Sequence, residues 1–195
     1  MYISQPTLDD LLHEVFQQVI STGVDVTESK GGRRTRGEIK ELMGVLLRLE
    51  NPRARLSRTE TKGMVFSALG EFLWYMAGSN DLEFIKYYID GYKDETDDGK
   101  TVYGAYGPRL FGRSGYLHDQ ITNVVSLLSR NKLSKRAVIQ LYGSADIADE
   151  HAEIPCTCTL QFLIRDDRLF MFTNMRSNDA FKGLPHDIFA FTMLQ

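Results

Sequence analysis

The sequence has few of the residues that build disulfide frameworks and metal sites. Two cysteines occur in 195 residues, and the four histidines, His13, His118, His151 and His186, are scattered singly. Cys156 and Cys158 stand one residue apart in "IPCTCTLQF". Zinc sites space paired cysteines by two to four residues and need a second ligand pair, so no metal is expected. In a strand the i, i+2 spacing puts both side chains on one face, along the strand rather than across it, and this does not suit a disulfide. Long apolar runs are also missing, with none near the roughly 18 residues that read as a membrane span. The opening "MYISQPTLDD" has neither the basic nor the apolar region of a secretory leader. Positive charge is not in excess: the net charge of −3 gives no global field for DNA or RNA. These absences predict a cytoplasmic protein with neither membrane nor nucleic-acid partners, and a reducing compartment disfavours a structural disulfide further.

What is present is the balance of a globular domain, 43% hydrophobic and 25% charged. The length fits one domain over residues 1–195 with a sizeable core. "TLDDLLHEVFQQVIS" carries apolar residues at helical spacing behind a Thr cap and two acids. "ESKGGRRTRGE" reads as a loop and "ELMGVLLRL" as a buried strand. "TKGMVFSALGEFLWYMAG", "NDLEFIKYYI" and "HDQITNVVSLLSR" read as helices, "VYGAYGPRL" and "GYKDETDDGK" as loops, and "RAVIQLY" as a strand. "CTLQFLIR-DD-RLFMFTNM" is two strands around an Asp-Asp turn. Pro185 starts a last helix that still runs, apolar and uncapped, at Gln195, which predicts that the domain lacks its C-terminal end. Helices and strands mix without strict alternation, so the expected fold class is a layered α/β (α+β) domain around a large sheet.

Several polar residues sit where chemistry is worth considering. Glu71 lies inside the apolar "FSALGEFLWYMAG"; it either faces solvent or is a buried, functional carboxylate. Arg33, Arg34 and Arg36, then Lys135 and Arg136, then Arg176 with Ser177 mark element ends. They are either solvated faces or captors of a small anion such as a phosphate. Tyr103, in the "VYGAYG" segment, either covers the core or bonds a substrate.

Taken in order, the Arg loop, "GEFLWYMAG", "VYGAYG", "DQI", "SKRA", "PCTCTLQF" and "RSNDAFKGLPHD" resemble the motifs of the thymidylate synthase family, including its pyrimidine-nucleotide hydroxymethylase branch, across nearly the whole chain. The resemblance implies a three-layer fold with a large mixed β-sheet flanked by helices, used as a homodimer through that sheet. It makes Cys156 the nucleophile and leaves Cys158 a core residue. A thiolate adding at C6 of a pyrimidine makes C5 nucleophilic toward a one-carbon electrophile, which the family draws from 5,10-methylenetetrahydrofolate. By the same resemblance Glu71 organises proton transfers and Tyr103 assists removal of the C5 proton. Arg34, Arg176 and Ser177 hold the phosphate, and Arg176 also supplies charge to the thiolate. Lys135 and Arg136 reach the phosphate of the other subunit, with Lys135 where the family has arginine. Asp179 and Gly183 lie near the pterin.

Departures from the family pattern narrow the expectation. Asp187 stands where methylating members carry an asparagine that reads the base, and a carboxyl group sharing one proton with N3 matches cytosine. The alternative is an aspartate at a helix N-terminus. Ile89 replaces a tryptophan beside the cofactor, with Tyr92 at a second aromatic position; thinner aromatic cover admits water and favours a hydroxymethyl product. His186 replaces a phenylalanine and Thr157 a histidine. The expected activity is hydroxymethylation of CMP or dCMP, with thymidylate synthesis from dUMP as the alternative. A non-catalytic nucleotide-binding fragment is the alternative of another class. The expected partners are a pyrimidine nucleoside monophosphate and a second copy of the chain.

Overall fold

The computed structural model describes residues 1–26, 39–57 and 65–195. Arg34, with the rest of its predicted loop, lies outside the described residues, as does the start predicted for the "TKGMVFSALG" helix. The chain divides into two compact units, Met1–Val65 with Asp179–Thr192, and Phe66–Asn178 with Met193–Gln195.

The first unit is organised by helix α1, Leu8–Thr22. Thr7 caps it by accepting from the Asp10 N–H at 3.2 Å, and Asp9 and Asp10 place negative charge in the first turn, where the helix dipole favours it. Leu8, Leu11, Leu12 and Val15 form the buried stripe and pack with Ile3 and Leu184. Strand β1, Tyr2–Gln5, pairs in parallel with β4, Leu46–Leu49, while β2, Val24–Val26, pairs antiparallel with β3, Ile39–Glu41. The buried strand expected over residues 41–49 is therefore divided between β3 and β4. Gly44, at φ +64°, breaks the run, and β4 is alternately exposed and half-buried rather than buried. Helix α6, Gly183–Leu194, begins two residues before Pro185; a proline in the first turn forfeits only an N–H that has no helical partner there.

The second unit carries helices α2 (Val65–Met76), α3 (Leu82–Tyr88), α4 (Tyr106–Phe111) and α5 (Gln120–Arg130). Gly70 of α2 lets α3 approach, since a Cβ there would fall 2.2 Å from Tyr88 Cγ. The predicted "VYGAYGPRL" loop ends as α4, so part of that expectation is corrected; buried Tyr106 and Leu110 anchor the short helix. Strands β5 (Val138–Gln140), β6 (Thr157–Arg165) and β7 (Arg168–Met175) form one antiparallel sheet. Asp166 and Asp167, both at positive φ, make the two-residue turn that suits the twist of the β6–β7 hairpin. Parallel and antiparallel pairing both occur, distributed over three ladders among the described residues. Val138 lies opposite Gln161, which lies opposite Phe172, so these share one face with Phe170. Val138, Phe170 and Phe172 are 43%, 40% and 53% exposed, an apolar sheet face.

Candidate active site

Cys156 directly precedes β6, and a β-bulge shapes its surroundings. Thr157 pairs with Met175 and Thr159 with Asn174, which leaves Cys158 as the extra residue. Burial reports the same shift: Thr157, Leu160 and Phe162 are buried, so the inward parity changes between 157 and 160. In an unbroken strand Cys156 would share the core face with Leu160 and Phe162. The bulge gives that place to Thr157 and leaves Cys156 half-buried. Cys158 is also half-buried, not the core residue expected. The adjoining β5 end is held by the Cys158 carbonyl, which accepts from Leu141 N at 3.0 Å.

Arg176 follows β7 and returns to Cys156. Its Nε donates to Pro155 O at 2.9 Å and its Nη2 to Ile154 O at 3.0 Å, while its backbone N–H bonds Cys156 O at 2.9 Å. Clamped in this way, Nη2 stands 3.7 Å from Cys156 Sγ. A guanidinium at that distance favours thiolate over thiol. Glu153, which the sequence reading did not single out, places Oε1 3.8 Å from Sγ and 3.9 Å from Arg176 Nη2. The thiol thus has a cation and a carboxylate acceptor on hand together.

Glu71 is buried on α2, which resolves the two readings of its position. Its carboxylate accepts from Tyr92 Oη at 2.6 Å. Tyr92, expected beside a cofactor, is thus engaged with Glu71. From Tyr92 a series of rings runs through Trp74 and Tyr75 to Tyr106, with centroids 5.4, 6.0 and 5.0 Å apart. Tyr106 Oη then accepts from Thr157 N at 3.1 Å. Packed aromatics therefore connect the Glu71 carboxylate to the residue after Cys156.

Tyr103 is half-buried and stacks on His151, with ring centroids 3.5 Å apart and planes 7° from parallel. His151 Nδ1 lies 2.8 Å from Asp97 Oδ2, and Asp97 Oδ1 accepts from Ala152 N at 2.6 Å. The loop of Tyr103 reaches the Cys156 segment because Gly104 lacks a side chain: a Cβ there would meet Ile154 C at 3.1 Å and Glu153 O at 3.2 Å. Behind Tyr103, Arg109 binds Asp146 through two bonds of 2.8 and 2.9 Å. Burial, and then the hydrogen bond to the Asp146 carboxylate, push the Tyr103 hydroxyl above the ordinary tyrosine range. Asp97 and Tyr103 also border a cavity of about 280 Å³. Neither Asp97 nor His151 stands out in the sequence. They are 54 residues apart, one in an acidic loop and one among scattered histidines, and no spacing rule relates them.

The remaining predicted residues divide between the units. Lys135 and Arg136 are exposed beside β5, and Lys135 O accepts from Gln161 Nε2 at 2.9 Å. Ser177 is exposed next to Arg176. Ile89 is half-buried at the end of α3. Asp179, Gly183 and Asp187 belong to the first unit. Asp179 is exposed, and its Oδ1 accepts from Phe181 N and Lys182 N at 2.8 and 2.6 Å. Gly183 opens α6, and Asp187 falls beyond that helix's first turn, outside the reach of a simple dipole role.

The thymidylate synthase family model matches residues 11–195. A deoxyuridylate hydroxymethyltransferase of Pseudomonas phage M6 is 34% identical over 120 residues, which is 60% of this chain and 34% of that protein. Another protein of that name, from Delftia phage PhiW-14, is 28% identical over 207 residues, covering 92% of this chain and 56% of the relative. The chain thus spans about a third and just over half of the length of these two relatives. Among solved structures, thermostable thymidylate synthase A from Bacillus subtilis matches with a TM-score of 0.73 at 20% identity, over 97% of this chain and 71% of that one. Thymidylate synthase from T4 phage matches with a TM-score of 0.57 at 23% identity, over 70% and 52%. These structures share the fold, and the family model spans nearly the whole sequence: the chain belongs to the thymidylate synthase family.

Proposed function

We propose that the protein transfers a one-carbon unit to C5 of a pyrimidine nucleoside monophosphate and releases a hydroxymethylated product. The observation that carries this reading is the Cys156 thiol, displaced from the core face by a bulge and 3.7 Å from the clamped Arg176 guanidinium. The thiolate adds to C6, and the C5–C6 π pair moves toward C5 and O4. Methylenetetrahydrofolate supplies the one-carbon electrophile. C5 bonds to that carbon and then loses its proton as the carbon–nitrogen bond to the folate breaks and tetrahydrofolate leaves. Water adds through oxygen to the resulting exocyclic methylene and gives up a proton, and the S–C6 bond breaks to return the thiolate. Glu71 and Tyr92 order water and carry protons. Arg34, Arg176 and Ser177 bind the phosphate. The chemistry at Asp179 suits a folate: an exposed carboxylate fixed by two backbone donors is a preorganised acceptor for pterin N–H groups. Gly183, Ile89 and Tyr92 complete that set.

Deoxyuridylate is the substrate named for both hydroxymethyltransferase relatives, and we place it first. Asp187 favours a second reading, a cytosine nucleotide, CMP or dCMP, because its carboxyl matches N3 and the amino group of that base. We also propose a homodimer through the β5–β6–β7 sheet. The exposed apolar face of Val138, Phe170 and Phe172 supports it, and places Lys135 and Arg136 at the margin of the same sheet. The test is tritium release from [5-³H]dUMP, dCMP and CMP, with and without methylenetetrahydrofolate, on the whole protein. Folate-dependent release is expected. No release from any of the three supports a nucleotide-binding role without catalysis.

A further inference from the structure

Addition of water to the one-carbon unit needs a base, because neutral water is a poor nucleophile. Among the described residues, Glu71 is committed to Tyr92 and to the proton transfers at the base, and Glu153 faces Arg176. The Tyr103 hydroxyl is directed to Asp146 and holds its proton. One dyad remains. His151 lies flat against Tyr103, and Asp97 faces its Nδ1 at 2.8 Å. Asp97 is fixed in turn by the Ala152 N–H. A carboxylate accepts only, so the Nδ1 facing it carries the proton, and in the neutral ring Nε2 then holds the lone pair. The dyad belongs to the same cluster as the nucleophile, because Gly104 seats the Tyr103 loop on the backbone of Glu153 and Ile154, which Arg176 links to Cys156.

We propose that His151, oriented by Asp97, is the general base that activates the water of hydroxymethyl transfer. This rests on the reading of the preceding subsection. Water bonds through oxygen to the exocyclic methylene carbon of the Cys156-bound base, and its proton passes to His151 Nε2. The methylene π pair moves into the ring toward C5 and O4. That pair re-forms C5=C6 as the S–C6 bond breaks, and His151 returns the proton to the thiolate or to solvent. Asp97 is a positioning residue. Asparagine there would offer its amide N–H to Nδ1, force the proton onto Nε2 and abolish the base while keeping an acceptor for Ala152 N.

The test follows two events in one reaction, tritium release from C5 and formation of hydroxymethyl nucleotide. His151→Phe keeps a flat ring against Tyr103 and removes the base. In a single turnover it is expected to keep the rate of tritium release within about threefold and to slow product formation about a hundredfold, the scale of general-base catalysis, with the methylene adduct accumulating on Cys156. Asp97→Asn should uncouple the events in the same direction, and added imidazole should restore product to His151→Ala. Nitrogen NMR of the wild-type protein alone should find the neutral ring protonated on Nδ1. Product and release that stay coupled in His151→Phe, at any level, overturn the assignment, as does an Nε2–H tautomer in wild type. A wild-type protein that releases no tritium overturns the underlying functional reading instead.

Discussion

Arg109 and Asp146, 37 residues apart in the chain, meet through two parallel hydrogen bonds with both side chains 2% exposed. Arg109 also donates to Leu141 O at 2.7 Å, and its guanidinium lies over the rings of Tyr103 and Tyr116. The pair thus joins α4, the end of β5 and the Tyr103 loop. Breaking it leaves a buried charge without its partner, at a cost of about 3–5 kcal/mol. Arg109→Met should lower the denaturation midpoint accordingly. An unchanged midpoint in chemical denaturation would show that the pair contributes nothing net.

The same pair sets an acid limit. Burial pushes the Asp146 carboxyl up, but the Arg109 hydrogen bonds and the Gly143 N–H outweigh it and hold the group below the ordinary range. A depressed carboxyl stabilises the fold above its unfolded pKa of about 3.9, and this contribution is lost as pH falls through the lower folded value. Stability should therefore drop on acidification below about pH 4, and Asp146→Asn should flatten that part of the profile. Parallel acid profiles in wild type and variant would exclude Asp146 as the source.

If Cys156 is the nucleophile proposed, Cys156→Ser should abolish release of the C5 proton, while Cys158→Ser keeps most of it. Removing the cation with Arg176→Gln should slow alkylation of Cys156 by iodoacetamide about tenfold at neutral pH, the effect of roughly one pKa unit. Equal loss of activity from both serine variants, with folding intact, would remove Cys156 from its assigned role.

Base choice is the place where residue identity and relatives point apart. Asp187→Asn should move relative kcat/KM from cytosine toward uracil nucleotides by about one to two powers of ten, since an unsatisfied buried hydrogen bond costs about 1–3 kcal/mol. A wild type that already prefers dUMP, with a ratio unmoved by the substitution, would assign base selection elsewhere.

For the sheet face, Phe172→Lys should convert a dimer to monomers in sedimentation while the fold persists, because Phe172 is 53% exposed and the change places charge in an apolar contact. A monomeric wild type would sink the dimer proposal.

Local features of this fold were legible in the sequence. Thr7 with Asp10 marked the start of α1, and the Asp166–Asp167 turn marked the hairpin, because cap and turn chemistry act over a few residues. Strand β1 was missed because its pairing with β4 is decided some 40 residues away. At the candidate site, the motif order exposed Cys156, Glu71 and Tyr103, whereas Glu153, Asp97 and His151 acquire meaning only from their neighbours in space. The burial of Glu71 was an open question until Tyr92 Oη supplied its partner.

The bulge at Cys158 makes the placement of the thiol a matter of counting rather than of side-chain chemistry. Many replacements at position 158 preserve the number of backbone units between Thr157 and Thr159, and with it the orientation of Cys156. What would turn the cysteine inward is a one-residue slip that takes position 158 into the ladder as an ordinary partner, with no change in any side chain. The facing of Cys156 is therefore tolerant of substitution at position 158 and sensitive to the register of β6 against β7.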